Sequence, residues 1–169
     1  YIYDMSIIQK TLQSSYTLHE SVDTLMPEYS ALMREAKNAL LNAHAPYSQF
    51  KVGAAVLLDS GKVIWGSNQE NMAYPSGLCA ERVAFFTVGA QFPGDEIIAV
   101  AITVKADLFT VNQPLAPCGA CRQSMLEFEL KQSKPITLLL QGETGMIAEI
   151  ESVKSLLPLY FIEERLKKD

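Results

Sequence analysis

Residues 97–104 place the strongest constraint on what this chain can fold into. The run is apolar at almost every position and rich in β-branched side chains, which is typical of a β-strand covered on both faces. Residues 136–140 form a second short run of the same kind. We therefore expect a sheet buried between two layers of helices, with residues 97–104 as its central strand.

Helical and strand patterns alternate along the rest of the chain. They predict helices over residues 27–43, 79–89, 118–131 and 153–156, and strands over residues 52–58, 62–68, 97–104, 136–140 and 146–150. Strands interleaved with helices imply an α/β fold, a three-layer α/β/α sandwich with a mixed five-stranded sheet. Residues 1–24 are polar and weakly patterned, so we expect an N-terminal extension followed by a single domain over residues 25–169.

Charge and hydropathy exclude two classes of partner. The formal net charge is -5, whereas non-specific nucleic-acid binding depends on Lys and Arg side chains that neutralise phosphates. The apolar runs are far shorter than the roughly 20 residues that a membrane-spanning helix needs. The first residues lack the charged and apolar parts of a secretory signal, so the expected location is cytoplasmic. We expect a small-molecule substrate, no nucleic acid and no membrane.

The strongest chemical signal is a set of three cysteines, an odd number that a disulfide framework does not explain. Cys118 and Cys121 stand three residues apart at the predicted start of one helix, and Cys79 begins another. The positive end of each helix favours thiolates, which bind metal. Since the chain has no fourth cysteine, and His19 and His44 fit surface or capping positions, three sulfurs leave one coordination position for water. The pattern favours a catalytic zinc site.

Two charged residues follow the first cysteine. A carboxylate at Glu81, beside a metal with an open position, acts as a general base toward bound water. Arg82 can hydrogen-bond a ligating sulfur and offset the excess negative charge of three thiolates. Without the cysteines, Glu81 would be an ordinary first-turn glutamate and Arg82 a solvated surface residue. Together with the cysteines, they predict a hydrolytic centre.

The order of these residues matches the signature of zinc deaminases, in which a metal ligand precedes a catalytic Glu and a P-C-x-x-C motif supplies two further ligands. Over residues 27–161 the chain resembles the cytidine deaminase family, specifically its small, three-cysteine, homotetrameric branch. The matching stretches are APYSQF (45–50), GSNQEN (66–71), AYPSGLCAER (73–82), PCGACRQ (117–123) and LLP (156–158). The resemblance implies a cytidine deaminase-like fold for residues 25–169. It also implies hydrolytic deamination of cytidine and deoxycytidine to uridine and deoxyuridine, with release of ammonia, in pyrimidine salvage.

The resemblance also implies a role for each matched residue. Zn²⁺ is held by Cys79, Cys118 and Cys121, and zinc-bound hydroxide attacks C4 of the base while Glu81 shuttles protons. Arg82 and Gln123 support the ligating sulfurs. The substrate contacts are Phe50 on the pyrimidine ring, Asn68 and Glu70 on the ribose, and the Ala80 backbone N–H on the base carbonyl. Tyr74 and Phe161 are the candidates for contacts across a subunit boundary.

The chain departs from the compact members of the family in two segments, and two alternative functions also stay open. The extension before about residue 27 and the longer segment 105–116 can alter the pocket rim or packing. One alternative is a deaminase of another small aminopyrimidine-type substrate, as in blasticidin-type deaminases, although Asn68 and Glu70 favour a nucleoside. The other is a non-catalytic zinc or redox protein, whose cysteines stabilise the fold or exchange disulfides. That second alternative gives Glu81 no role.

Overall fold

The structure is a computed structural model that describes residues 7–166, with Glu164 described by its backbone only. The strands are β1 (Thr17–His19), β2 (Phe50–Leu58), β3 (Val63–Ser67), β4 (Ile97–Ala106), β5 (Thr137–Gln141) and β6 (Ile147–Ile150). The α-helices are α1 (Pro27–Ala39), α2 (Ala80–Gln91) and α3 (Gly119–Lys131). Short 3₁₀ turns cover Val22–Thr24, Leu40–Asn42, Tyr74–Ser76, Val153–Leu156 and Glu164–Leu166. Residues 1–6 of the predicted extension and 167–169 of the predicted domain lie outside the described residues. No helix in the described part of the chain is long and apolar enough to cross a membrane.

The strands form one mixed sheet in the order β1-β6-β5-β4-β2-β3. Strands β4 and β5 pair in parallel and the other neighbours pair antiparallel. The predicted central position of residues 97–104 is confirmed, because β4 is one of the two innermost strands of the six. The prediction of five strands was one short. The additional strand, β1, has three residues and a single aliphatic side chain, too little for its pairing with β6 to show as a periodicity.

The three layers are confirmed by the two faces of β4. Val100 and Ile102 pack into a core with side chains of α2 and α3, whereas Ala99 and Ala101 pack on the opposite face with α1. Side chains buried on both faces explain why this strand is apolar on successive residues. Helix α1 ends at Ala39, earlier than predicted, because the chain tightens into a 3₁₀ turn. The last predicted helix is also only a 3₁₀ turn, over Val153–Leu156.

A glycine in β3 allows α2 to lie directly against the sheet. A Cβ atom at Gly66 would overlap the carbonyl oxygen of Ala80 and crowd the backbone nitrogen of Ala84. The first turn of α2 therefore lies directly on the last residues of β3. This contact fixes the position of Cys79, the residue that immediately precedes the helix.

Glu129 is a carboxylate on α3 whose exposed fraction is only 2%. It accepts hydrogen bonds from the backbone N–H groups of Ile136, at 2.9 Å, and Val153, at 2.8 Å, and from the hydroxyl of Ser152, at 2.7 Å. These bonds connect α3 to the start of β5 and to the 3₁₀ turn after β6. Glu129 therefore links α3, the helix whose start carries Cys118 and Cys121, to the C-terminal segment through hydrogen bonds.

We expect Glu129→Ala to lower the free energy of unfolding by about 3 kcal/mol, because it leaves buried donors without an acceptor. For a chain of this size, the melting temperature should fall by roughly 6–12 °C in a thermal scan followed by circular dichroism. Glu127→Ala is the matched control, since the Glu127 side chain on the same helix is 55% exposed. Equal shifts for the two variants would contradict the structural role of Glu129.

Candidate active site

Three cysteine side chains converge where α2 and α3 begin. Cys79 is the N-cap residue of α2, Cys118 is the N-cap residue of α3, and Cys121 lies in the first turn of α3. Their Sγ atoms all lie within 4.8 Å of one another, with 3.4 Å between those of Cys118 and Cys121. Tetrahedral zinc with Zn–S bonds of about 2.3 Å needs sulfurs about 3.8 Å apart. The trio therefore fits zinc, and within residues 7–166 it is the one such group of potential ligands.

The charge state of these cysteines also suits a metal site. The pKa of Cys79 is lowered to about 5. The largest cause is a hydrogen bond from the Cys121 thiol, and a smaller one is the interaction with the Arg82 guanidinium. The distance from Arg82 Nη2 to Cys79 Sγ is 4.0 Å. The same bond to Cys79, together with burial, raises the pKa of Cys121. A thiolate thus lies beside a thiol, and a metal ion that binds both sulfurs must release the remaining proton.

Glu81 lies next to this cluster in the first turn of α2, with an exposed fraction of 4%. Burial raises the pKa of its carboxyl group, and the negative charge of Cys79 acts in the same direction. The carboxyl group is therefore both shielded from bulk water and close to the sulfurs. This is the position that a general base toward a metal-activated water requires.

A cavity of about 760 Å³ opens beside Cys79 and Arg82. This volume lies in the range of small-molecule sites. Of the predicted site residues, the cavity lining contains Phe50, Asn68, Glu70, Tyr74, Cys79 and Arg82. The structure thus brings Phe50, Asn68 and Glu70 to one concave surface with Cys79. The other predicted site residues near the sulfurs do not line this cavity: Ala80, Glu81, Cys118 and Cys121.

The Asn68 side chain connects the end of β3 to the start of β2. Its Oδ1 accepts a hydrogen bond from the Val52 N–H at 2.8 Å, and its Nδ2 donates to the Phe50 carbonyl oxygen at 2.9 Å. These two bonds fix the orientation of the amide. One Nδ2 hydrogen remains for a ligand, because a primary amide has two.

The Glu70 carboxylate is held by the loop that precedes β2. Its Oε2 accepts hydrogen bonds from the backbone N–H groups of Tyr47, at 2.9 Å, and Ser48, at 3.3 Å. The Ser48 hydroxyl and these N–H groups lower the pKa of Glu70. Glu70 is therefore an ionised, oriented acceptor whose Oε1 can receive a hydrogen bond from a ligand hydroxyl.

The remaining predicted residues lie around this core of the site. The Ala80 backbone N–H is in the first turn of α2. Gln123 Nε2 donates to the Phe161 carbonyl oxygen at 3.3 Å, so Gln123 contacts the C-terminal segment. The Tyr74 and Phe161 side chains are 75% and 70% exposed. Large exposed aromatic side chains of this kind are typical of protein interfaces.

Arg122 is a residue beside the site to which our sequence analysis gave no role. Its Nε donates to the Pro117 carbonyl oxygen at 2.8 Å, and its Nη1 donates to the Leu156 carbonyl oxygen at 2.7 Å. The side chain thus holds the loop that carries Cys118 against the C-terminal segment. The sequence did offer a signal for these contacts, because Arg122 directly follows Cys121. An Arg side chain has several hydrogen-bond donors in a fixed geometry and can therefore bind two carbonyl groups at once.

Comparison with known proteins supports the same assignment. Residues 26–135 match the sequence profile of the cytidine and deoxycytidylate deaminase zinc-binding region. The chain is 44% identical over 133 residues to the cytidine deaminase of Halalkalibacterium halodurans, covering 79% of this chain and 93% of that protein. It is 41% identical over 138 residues to the cytidine deaminase of Sporosarcina psychrophila, covering 80% and 92%.

Solved structures agree with the sequence relatives. The cytidine deaminase from Burkholderia pseudomallei superposes with a TM-score of 0.67 at 39% identity, covering 78% of this chain and 97% of that chain. For the cytidine deaminase from Mycobacterium tuberculosis the TM-score is 0.62 at 30% identity, covering 80% and 98%. The matched region contains all three clustered cysteines and Glu81. Because fold, sequence and zinc-compatible geometry agree, the chain belongs to the cytidine and deoxycytidylate deaminase zinc-binding family.

Proposed function

We propose that this protein deaminates cytidine and deoxycytidine hydrolytically, giving uridine and deoxyuridine with release of ammonia. One observation carries this proposal. A three-sulfur site and the buried Glu81 carboxyl group lie beside a cavity of small-molecule size, which Cys79 lines. The similarity to proteins named cytidine deaminases supports the choice of base. Recovery of the uracil nucleoside from its cytosine counterpart would serve pyrimidine salvage.

The proton transfers fall to Glu81. Cys79, Cys118 and Cys121 would hold Zn²⁺, which would supply a Lewis acid that lowers the pKa of water far enough for it to act as a nucleophile near neutral pH. The Glu81 carboxylate accepts the proton of the attacking water and delivers it to N3 of the base. The water oxygen bonds to C4, and Glu81 then carries the proton of this new hydroxyl group to the amino group, which leaves as ammonia when the C4–N bond breaks. Burial of Glu81 keeps bulk water from competing for these protons.

Arg82 balances the charge of the site. Three thiolates around Zn²⁺ carry excess negative charge, which weakens the ion as a Lewis acid. The Arg82 guanidinium lies 4.0 Å from Cys79 Sγ and draws charge from that sulfur. Replacing a group that contacts a metal ligand in this way commonly lowers metal affinity or activity by about 10–100-fold.

The nucleoside would be held by residues on both sides of the cavity. We place the pyrimidine ring against Phe50 and the base carbonyl at the Ala80 N–H. The remaining Nδ2 hydrogen of Asn68 and the Oε1 atom of Glu70 can then bind the ribose hydroxyls. The hydrogen bonds that orient both side chains support this placement, because preorganised polar groups lose little entropy on binding.

The substrate is tested by ammonia release from the zinc-loaded protein. We expect turnover of cytidine and deoxycytidine, and much less of free cytosine, because cytosine leaves Asn68 and Glu70 without partners. Blasticidin S is the comparison for the other aminopyrimidine class. Faster release from blasticidin S or cytosine would overturn the nucleoside assignment. Zinc binding without ammonia release from any of these compounds would indicate a non-catalytic zinc protein.

We also propose a homotetramer in which Tyr74 and Phe161 reach a neighbouring subunit. Their 75% and 70% exposed side chains, with Met72 and Leu159 exposed nearby in sequence, support an interface there. Sedimentation equilibrium should therefore give about four times the 18.7 kDa chain mass. A mass of one chain at micromolar concentration would contradict the assembly.

We propose residues 25–169 as the catalytic domain and residues 1–24 as an extension to it. Cys79, Cys118 and Cys121 form no disulfide bond in the described structure. Cysteines without disulfide bonds suit a reducing compartment, which supports a cytoplasmic location.

A further inference from the structure

Residues 105–116, which we call the strap, begin with contacts on both sides of Phe50. The Asp107 N–H donates to the Gln49 carbonyl oxygen at 3.0 Å. The Lys51 Nζ atom lies 3.3 Å from the Asp107 carboxylate. Gln49 and Lys51 are the chain neighbours of Phe50, so the strap is attached to the backbone that presents this ring.

The strap has a second attachment at Val111, where the turn between β5 and β6 holds it. The Val111 carbonyl oxygen accepts hydrogen bonds from the N–H groups of Glu143, at 2.7 Å, and Thr144, at 3.3 Å. Close packing reinforces these bonds, since a Cβ atom at Gly142 would overlap the same Val111 oxygen. Residues 108–110, the middle part of the strap, thus lie between two anchored residues, Asp107 and Val111.

Phe109 lies in this middle part and packs on Phe50. The ring centroids are 6.3 Å apart, with 36° between the ring planes. This separation is within the range of favourable aromatic pairs. Phe109 is 60% exposed, so its ring is not a member of the buried core. Phe50 is half-buried and lines the cavity, so Phe109 contacts a ring that faces the ligand space.

We propose that Phe109 is a positioning residue, which the strap holds against Phe50 so that the Phe50 ring is fixed for contact with a pyrimidine. The proposal rests on the proposed function for the identity of that ligand. A ring fixed before binding loses less conformational entropy when the base arrives. Phe109 should therefore set the affinity for the base and leave the chemical step unchanged.

The test is Phe109→Ala in the zinc-loaded, full-length protein. We expect KM for cytidine and Kd for uridine, measured by calorimetry, to rise together by about two- to tenfold. The value of kcat and the zinc content should stay at their wild-type levels, as expected when binding is lost equally from ground and transition states. Phe109→Tyr keeps the aromatic contact and should restore both constants. Leu108→Ala is the matched control, because Leu108 is the exposed neighbour on the same strap.

Three results separate this inference from the proposed function. Unchanged KM and Kd in Phe109→Ala, with an active wild type, would overturn the positioning role alone. A joint fall of kcat, zinc content and melting temperature would also overturn it, because Phe109 would then be a general structural residue. A wild-type protein that binds uridine but releases no ammonia from cytidine would overturn the proposed function and leave the Phe109 contact testable through Kd.

Discussion

Glu81→Gln should retain about one zinc ion per chain while kcat for cytidine falls by about 10²–10⁴-fold, the usual contribution of a general acid–base group. Glutamine has nearly the same shape as glutamate but cannot accept and return a proton. The Glu81 side chain is not one of the clustered metal ligands, so its replacement leaves the three sulfurs in place. Metal analysis and ammonia release on the same sample measure both quantities.

The control for this variant is Glu127→Gln, an amide replacement at an exposed glutamate on α3. It should keep full activity. If Glu81→Gln kept more than about a tenth of wild-type kcat, far above the loss that a general base predicts, another group would have to move the proton. If the variant lost its zinc, Glu81 would be required for metal binding and its assigned role would be wrong.

Cys118→Ala should lose both zinc and turnover. Two remaining sulfurs are a poor zinc site, and without the metal the nucleophilic water is no longer activated. Loss of several kcal/mol of stabilisation corresponds to a fall in kcat of at least about a thousandfold. Cys118 is exposed and its side chain makes no capping hydrogen bond, so the fold should survive the substitution. Metal analysis, turnover and far-UV circular dichroism check these three statements.

Ser124→Ala is the matched control, because Ser124 is on the same helix and its hydroxyl donates only to the Ala120 carbonyl oxygen within the described structure. This variant should keep its zinc and its activity. Retention of tightly bound zinc by Cys118→Ala would remove Cys118 from the ligand set. Such a result would also favour the alternative in which Cys118 and Cys121 exchange a disulfide bond.

The features that could be predicted are those that depend on residues close together in the sequence. The β4 run is apolar on successive residues because both of its faces are buried, and this pattern alone implies two helical layers. The spacing of Cys118 and Cys121 places both at the start of one helix. The charged neighbour Arg82 follows Cys79 at helical spacing and lies beside its sulfur.

What could not be predicted depends on contacts between distant segments. Strand β1 is defined by its pairing with β6, more than a hundred residues away, and not by its own three residues. In the sequence, Glu129 looks like any other polar residue of a helix. Only the fold shows that it accepts hydrogen bonds from the buried N–H groups of Ile136 and Val153. The strap was visible as a longer segment, but its packing on Phe50 depends on the contacts that anchor Asp107 and Val111.

The central claim is that three sulfurs hold one zinc ion that activates water for Glu81. Titration of the metal-depleted protein with zinc, with ammonia release from cytidine recorded at each step, tests it most directly. Activity should rise in proportion to bound zinc and stop rising at about one ion per chain. Full activity in the metal-depleted protein, or bound zinc that leaves the rate unchanged, would contradict the account.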